Sequence, residues 1–245
     1  MVNDELITGV SGCHDGGGGT GGHRRRRLVV GITGATGSIL GIRLLEALRA
    51  LDVETHLVLS DWAERTIRIE TDYTVAEVRD LADTYYQYGN QAAAVSSGSF
   101  PVDGMVIIPC SMNTLAALAH GIADKLIVRA ADVTLKEQRK LVVVPRETPL
   151  NTIHLRNLLT LSEMGVSIVP PMPAFYNHPE TIDDFIRHIV ARVLDQLRID
   201  NDLTVRWGVT RRLHSNPSRP RATVESDDLA LVDSLGHVNG AEKLK

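Results

Sequence analysis

Cysteine is nearly absent: the 245 residues hold two, Cys13 and Cys110, in unlike surroundings. That excludes a disulfide framework and a CxxC zinc site, and it suits a reducing, cytoplasmic setting. No apolar run approaches the roughly 20 residues needed to span a bilayer, and the first residues lack the apolar stretch of a secretory leader, so no membrane partner is expected. A basic excess is missing as well. Lys and Arg number 26 against 30 Asp and Glu, a formal charge of -4, whereas a general nucleic-acid binder needs the opposite balance. The nine histidines show neither HExxH nor paired-ligand spacing, so no metal site is expected, and there is no GxSxG elbow of an α/β-hydrolase.

What is present is a core-forming chain, with 43% hydrophobic and 23% charged residues, of a length that suits one α/β domain with tails. Residues 1–26, with "GCHDGGGGTGGH" and most of "RRRR", read as a Gly/Arg-rich tail too poor in apolar groups to order itself. The four arginines read as a solvated entry to the first strand. Residues 209–245 read as a second, polar tail, and 27–208 as the folded domain. Within it, strand-like segments begin at Arg27, Glu54, Asp103, Lys140 and Gly165. Their dense Val, Ile and Leu content suits a parallel sheet covered on both faces. Helical patterns cover 39–50, 62–70, 74–82, 114–121, 152–164 and 181–197, and a further helical stretch carries Arg129 and Lys136. The alternation predicts βαβ units and a Rossmann-like, doubly wound three-layer α/β/α sandwich, whose ligands bind beyond the carboxyl ends of the strands.

Several polar motifs fall at those ends. "VVGITGATGSILGIRLLEAL", from Val29, runs from a strand through a glycine loop into a helix. Unpaired helix-start amides and the helix dipole make such a turn an anion site, shared by NAD, nucleotides and flavins. An NAD(P)-dependent short-chain reductase is the obvious rival, but its third glycine is one place late, at Gly41. The residues four beyond the five tyrosines are Glu77, Gly89, Asn90, Ala92 and Glu180, so the Tyr–Lys pair of that chemistry is missing. Ser111, Met112, Asn113 and Thr114 stand where a helix starts and suit either capping or a ligand's phosphate or ring edge. Arg146 and Glu147 end another strand.

Five ordered blocks carry a resemblance: "GITGATG", "CSMNTLAALAHGIADKLIVRAADV", "LKEQRKLVVVPRETPLNTIHLRNLLTLSEMG", "PPMPAFY" and "RWG". From about Arg27 to Gly208 the chain is similar to the flavin prenyltransferases of the UbiX family. The resemblance implies a metal-independent enzyme. It joins the dimethylallyl group of dimethylallyl monophosphate to N5 and C6 of reduced FMN, and the prenylated FMN serves UbiD-type decarboxylases. It also implies a homo-oligomer, typically a dodecamer, with sites at subunit junctions. Residue by residue, it implies FMN contacts from Gly34, Ala35, Thr36, Ser60, Ser111, Met112, Asn113, Thr114 and Arg146. Prenyl-phosphate contacts would come from Arg129, Lys136, Tyr176 and Arg192, with Glu70, Glu147 and Thr36 in catalytic roles.

Local sequence offers each a plainer role. Arg129 and Lys136 share a helical stretch with Asp132 and Glu137, as a salt-bridged surface would, and Arg192 lies on an amphipathic helix. Two other functions remain open. A flavin-dependent cysteine decarboxylase would need a His in the first helix, and 39–50 has none. A non-catalytic FMN-binding subunit of a decarboxylase would have no use for the basic cluster.

Overall fold

The computed structural model describes residues 24–208. The outer part of the first expected tail, 1–23, and the whole of the second, 209–245, lie outside the described residues. Along the chain come β1 (Arg27–Ile32), α1 (Ser38–Ala50), β2 (Glu54–Leu59), α2 (Asp61–Glu70), α3 (Val75–Asp80), β3 (Thr84–Tyr86), β4 (Gly104–Cys110), α4 (Met112–Ala119), α5 (Leu126–Lys136), β5 (Lys140–Pro145), α6 (Thr152–Glu163), β6 (Ser167–Ile168) and α7 (Ile182–Gln196). The six strands form one sheet in the order β3-β2-β1-β4-β5-β6, and every pairing is parallel.

Strand alternation divides the core in two. Leu28, Val30 and Ile32 of β1, with Leu57, Leu59, Val106, Ile108, Val142 and Val144, pack with α1, α2, α3 and α7 on one face. Val29, Val58, Met105, Ile107, Leu141 and Val143 pack with α4, α5 and α6 on the other. Residues two apart share a face of a strand, so a segment such as "LVVGI", Leu28 to Ile32, must be apolar throughout to serve both layers. Burying one such side chain contributes about 1.5–3 kcal/mol.

Helix starts follow from hydroxyl and amide caps. Ser60, Thr74, Ser111, Asn151 and Thr181 each accept a hydrogen bond from an amide of the first turn they precede. Helices α1 and α5 are the exceptions: the N-cap of α1 is Gly37 at φ +97° and that of α5 is Lys125, neither with a side-chain cap of its own.

Two elements depart from the sequence expectation. β3 has three residues and no apolar run, and it is a strand because His56–Val58 of β2 pair with it. The arginine run is tied down rather than simply solvated. Arg24 meets Asp103 at 2.7 Å and Arg25 meets Asp52 at 2.8 Å. Arg26 donates to the carbonyls of Leu197 and Arg198 at 2.7 and 2.6 Å, closing the C-terminal end of α7. Residues 24–26 are thus held to the elements around them.

Candidate active site

β1 and β4 are neighbours, yet their crossovers leave on opposite faces of the sheet. This is the switch point at which doubly wound sheets open a crevice for ligands. Thr33, just past β1, spans it. Its hydroxyl donates to the Pro109 carbonyl at 2.8 Å and accepts the Ser111 amide at 2.8 Å, while its own amide donates to Pro109 at 3.2 Å. The register of β4 with β5 shifts between Ile107 and Cys110, so the end of β4 bends out of the regular ladder. Nothing in the glycine pattern signalled Thr33; a Thr immediately before the loop is the trace it leaves in the sequence.

The loop after β1 is shaped by two contacts. A Cβ on Gly34 would lie 2.2 Å from Cβ of Trp62, so only glycine lets the loop pass this close to α2. The Glu70 carboxylate, at the end of α2, accepts the Gly37 amide at 2.8 Å and the Ser38 amide at 3.3 Å. A carboxylate of the chain itself thus holds the first amides of α1, where the helix dipole favours negative charge. Thr36 is exposed at the loop tip, and Gly34 and Ala35 are half-buried.

The neighbouring strand ends supply further polar groups. Ser60 is buried and accepts the Ala63 amide at 3.1 Å. The Ser111 hydroxyl accepts the Thr114 amide at 3.3 Å and donates to the Thr114 hydroxyl at 3.1 Å, so capping is its role within the chain. Met112 is half-buried and Asn113 exposed. The Arg146 amide donates to the Cys110 carbonyl at 3.2 Å, which brings the end of β5 beside that of β4. Arg146 and Glu147 are both exposed, and among the described residues the Arg146 guanidinium has no carboxylate partner. Glu147 accepts the Thr148 amide at 3.0 Å. Cys110 contributes no nucleophile, since complete burial pushes its thiol up to about 12.

The residues after β1, β2, β4 and β5 therefore share one sheet edge, as expected for an FMN site. The four expected prenyl-phosphate residues divide into two pairs. Arg129 and Lys136 sit on α5, on one face of the sheet. Arg192 sits on α7, on the other face, and Tyr176 packs edge-on against His188 of that helix at 5.8 Å. The sheet separates the pairs. Each cation also has a carboxylate close by: Arg129 meets Asp132 at 2.8 Å, Lys136 meets Glu137, and Arg192 meets Asp195 at 2.7 Å. Within one chain, then, these cations show the salt-bridged arrangement that local sequence suggested. Burial first, and the Arg192 charge second, hold His188 below its ordinary range.

The chain matches known proteins over this whole region. The family model described as Flavoprotein covers residues 20–194. A relative from Escherichia coli O157:H7, named probable UbiX-like flavin prenyltransferase, is 60% identical over 182 residues, 74% of this chain and 92% of the relative. The crystal structure of a dodecameric FMN-dependent UbiX-like decarboxylase from Escherichia coli O157:H7 superposes with a TM-score of 0.73 at 60% identity, covering 74% of this chain and 98% of that one. That of AnUbiX (PadA1) in complex with FMN and dimethylallyl pyrophosphate gives 0.75 at 55% identity, covering 77% and 100%. A parallel six-stranded flavoprotein sheet, a polar crevice at its switch point and this identity over nearly the full length of the relatives place the chain in the flavoprotein family, among the UbiX-type flavin prenyltransferases.

Proposed function

We propose that this protein is a flavin prenyltransferase that moves a dimethylallyl group from dimethylallyl monophosphate to reduced FMN and releases phosphate. The observation that carries the reading is the convergence of the loops after β1, β2, β4 and β5 on one edge, in a chain 60% identical to a UbiX-like flavin prenyltransferase. The donor set there fits FMN: hydroxyl and amide groups suit the polar edge of the ring, and the Arg146 guanidinium, with no carboxylate partner among the described residues, suits an anion. When bound, FMN supplies the nucleophilic N5 and C6 positions that receive the prenyl group.

The remaining work falls to the chain. Gly34, Ala35, Thr36 and Ser60 line one side of the FMN site, and Ser111–Thr114 with Arg146 the other. Arg129, Lys136, Arg192 and the Tyr176 hydroxyl neutralise the departing phosphate, the position where negative charge grows in the transition state. Glu147, exposed beside Arg146 at the same edge, takes up a proton as the ring closes, and Glu70 fixes the loop that presents Thr36. Because the sheet separates α5 from α7, the phosphate cluster is completed between subunits of a homo-oligomer, and a dodecamer is the form seen in the E. coli structure. The product goes to a UbiD-type decarboxylase in the cytoplasm. Among the described residues no helix is long and apolar enough to cross a membrane.

The test is anaerobic incubation of the purified protein with reduced FMN and dimethylallyl monophosphate, then mass spectrometry of the released flavin. A flavin heavier by one C5H8 unit is the expected result. Unchanged FMN from an intact, flavin-bound protein would reject prenyl transfer in favour of a binding subunit.

A further inference from the structure

On α7, His188, Arg192 and Asp195 stand at i, i+4 and i+7, one stripe along the helix. The segment that follows α7 folds back over this stripe. Thr204 meets His188 Nδ1 at 3.1 Å, and Trp207 packs edge-on against Tyr176 at 5.3 Å. Asp195 is the point at which segment and helix are joined. Its carboxylate accepts both ends of the Arg206 guanidinium, Nη1 to Oδ2 at 3.0 Å and Nη2 to Oδ1 at 2.8 Å. The same Oδ2 accepts Arg192 Nη1 at 2.7 Å, and Oδ1 accepts the Asn201 side-chain amide at 3.2 Å. Its side chain is 16% exposed, against 49% for Arg192 and 41% for Arg206. Arg192, Arg198 and Arg206 line an open cleft of about 510 Å³ with Asp195 on its wall.

We propose that Asp195 is a positioning residue for prenyl-phosphate binding, orienting Arg192 directly and Tyr176 through the chain Arg206–Trp207. This rests on the reading of Arg192 and Tyr176 as phosphate ligands. A fork-on-fork pair fixes the guanidinium plane of Arg206 as well as its place, and Trp207 is the next residue. Holding Arg206 therefore holds the indole against the Tyr176 ring. An exposed arginine alone explores many rotamers, and one anchored through Oδ2 of Asp195 gives up less freedom when the phosphate arrives. The donor's phosphate is already anionic before its bond breaks, so preset ligands are felt first in ground-state binding and the positioning shows in KM.

Three single variants and one double variant are compared for FMN affinity and for steady-state kinetics with dimethylallyl monophosphate. Asp195→Asn keeps the shape but loses the charge, and Arg206→Gln approaches the same junction from the other side. Each is expected to raise KM about tenfold with kcat little changed and FMN affinity intact, the loss of one charge-assisted junction. Their double variant should be little worse than either one, because the two act as a unit. Arg192→Ala serves as the reference and should also raise KM. An unchanged KM in Asp195→Asn and Arg206→Gln beside a raised one in Arg192→Ala overturns the positioning role and leaves the phosphate reading standing. A fall in kcat alone overturns it too. An unchanged KM in Arg192→Ala removes the premise and the proposal with it.

Discussion

The Thr33 hydroxyl and the Ser111 amide, 2.8 Å apart, join the ends of β1 and β4 across the switch point. Thr33 is 1% exposed and Ser111 half-buried, and the same hydroxyl also donates to Pro109. One side chain thereby fixes the spacing of two loops that are both expected to contact FMN. Thr33→Val keeps the volume and leaves the Ser111 amide without its acceptor. Such a loss costs about 1–3 kcal/mol. A lower midpoint in urea unfolding, with weakened FMN binding in titration, is the expected outcome. A variant with wild-type stability and wild-type FMN affinity would show that the bridge does neither job.

Gly34→Ala tests the close approach of the first loop to α2. The added Cβ would meet Trp62 Cβ at 2.2 Å, an atom next to the backbone that cannot swing away. The loop or the helix must shift, at about 1–3 kcal/mol by analogy with other overpacked sites. FMN binding should suffer more than stability, because the displaced segment carries Ala35 and Thr36. Isothermal titration with FMN checks this, and an unchanged affinity would place the flavin away from this loop.

The layered fold was legible because its strands are apolar on both faces and its helices are separated by turn residues. The carboxyl-end loops followed from that topology. Other features were not readable locally. β3 exists through pairing with β2 rather than through its own pattern, and Thr33 acts through a strand 76 residues away. The arginine run looked like a tail because its partners, Asp52, Asp83 and Asp103, are spread along the chain. Nor could spacing reveal that α5 and α7 lie on opposite faces, since that depends on the hand of each crossover.

Acid should weaken the fold in two stages. His188 is held below its ordinary range by burial and then by Arg192, so the unfolded state takes up its proton first and stability falls as pH drops below about 6.5. Burial alone would raise the Asp83 carboxyl, but the Thr55 amide at 2.8 Å and the Arg25 guanidinium outweigh it and the net direction is downward. The stability it contributes is present above the unfolded value, about 3.9, and is lost as pH falls through the lower folded value. Melting temperatures between pH 8 and 3 should record both stages. His188→Gln should delay the first fall towards the carboxylate range, and an onset still near 6.5 would mean that another group governs it.

Separation by the sheet of the cations proposed to bind phosphate predicts a result that no single-chain site can give. Arg129→Ala and Arg192→Ala should each lose most prenyl transfer when assembled alone. In an oligomer formed from equal amounts of both, a site pairs α5 of one subunit with α7 of another. It is intact when the Arg192→Ala chain supplies α5 and the Arg129→Ala chain supplies α7, which random mixing achieves at about a quarter of the sites. Co-unfolding and reassembly of the two variants should therefore restore about a quarter of wild-type activity per site, with FMN bound throughout. If both clusters served one chain, every site would keep a defect and mixing would recover nothing. The recovered fraction thus separates a shared site from a private one without knowledge of the size of the assembly.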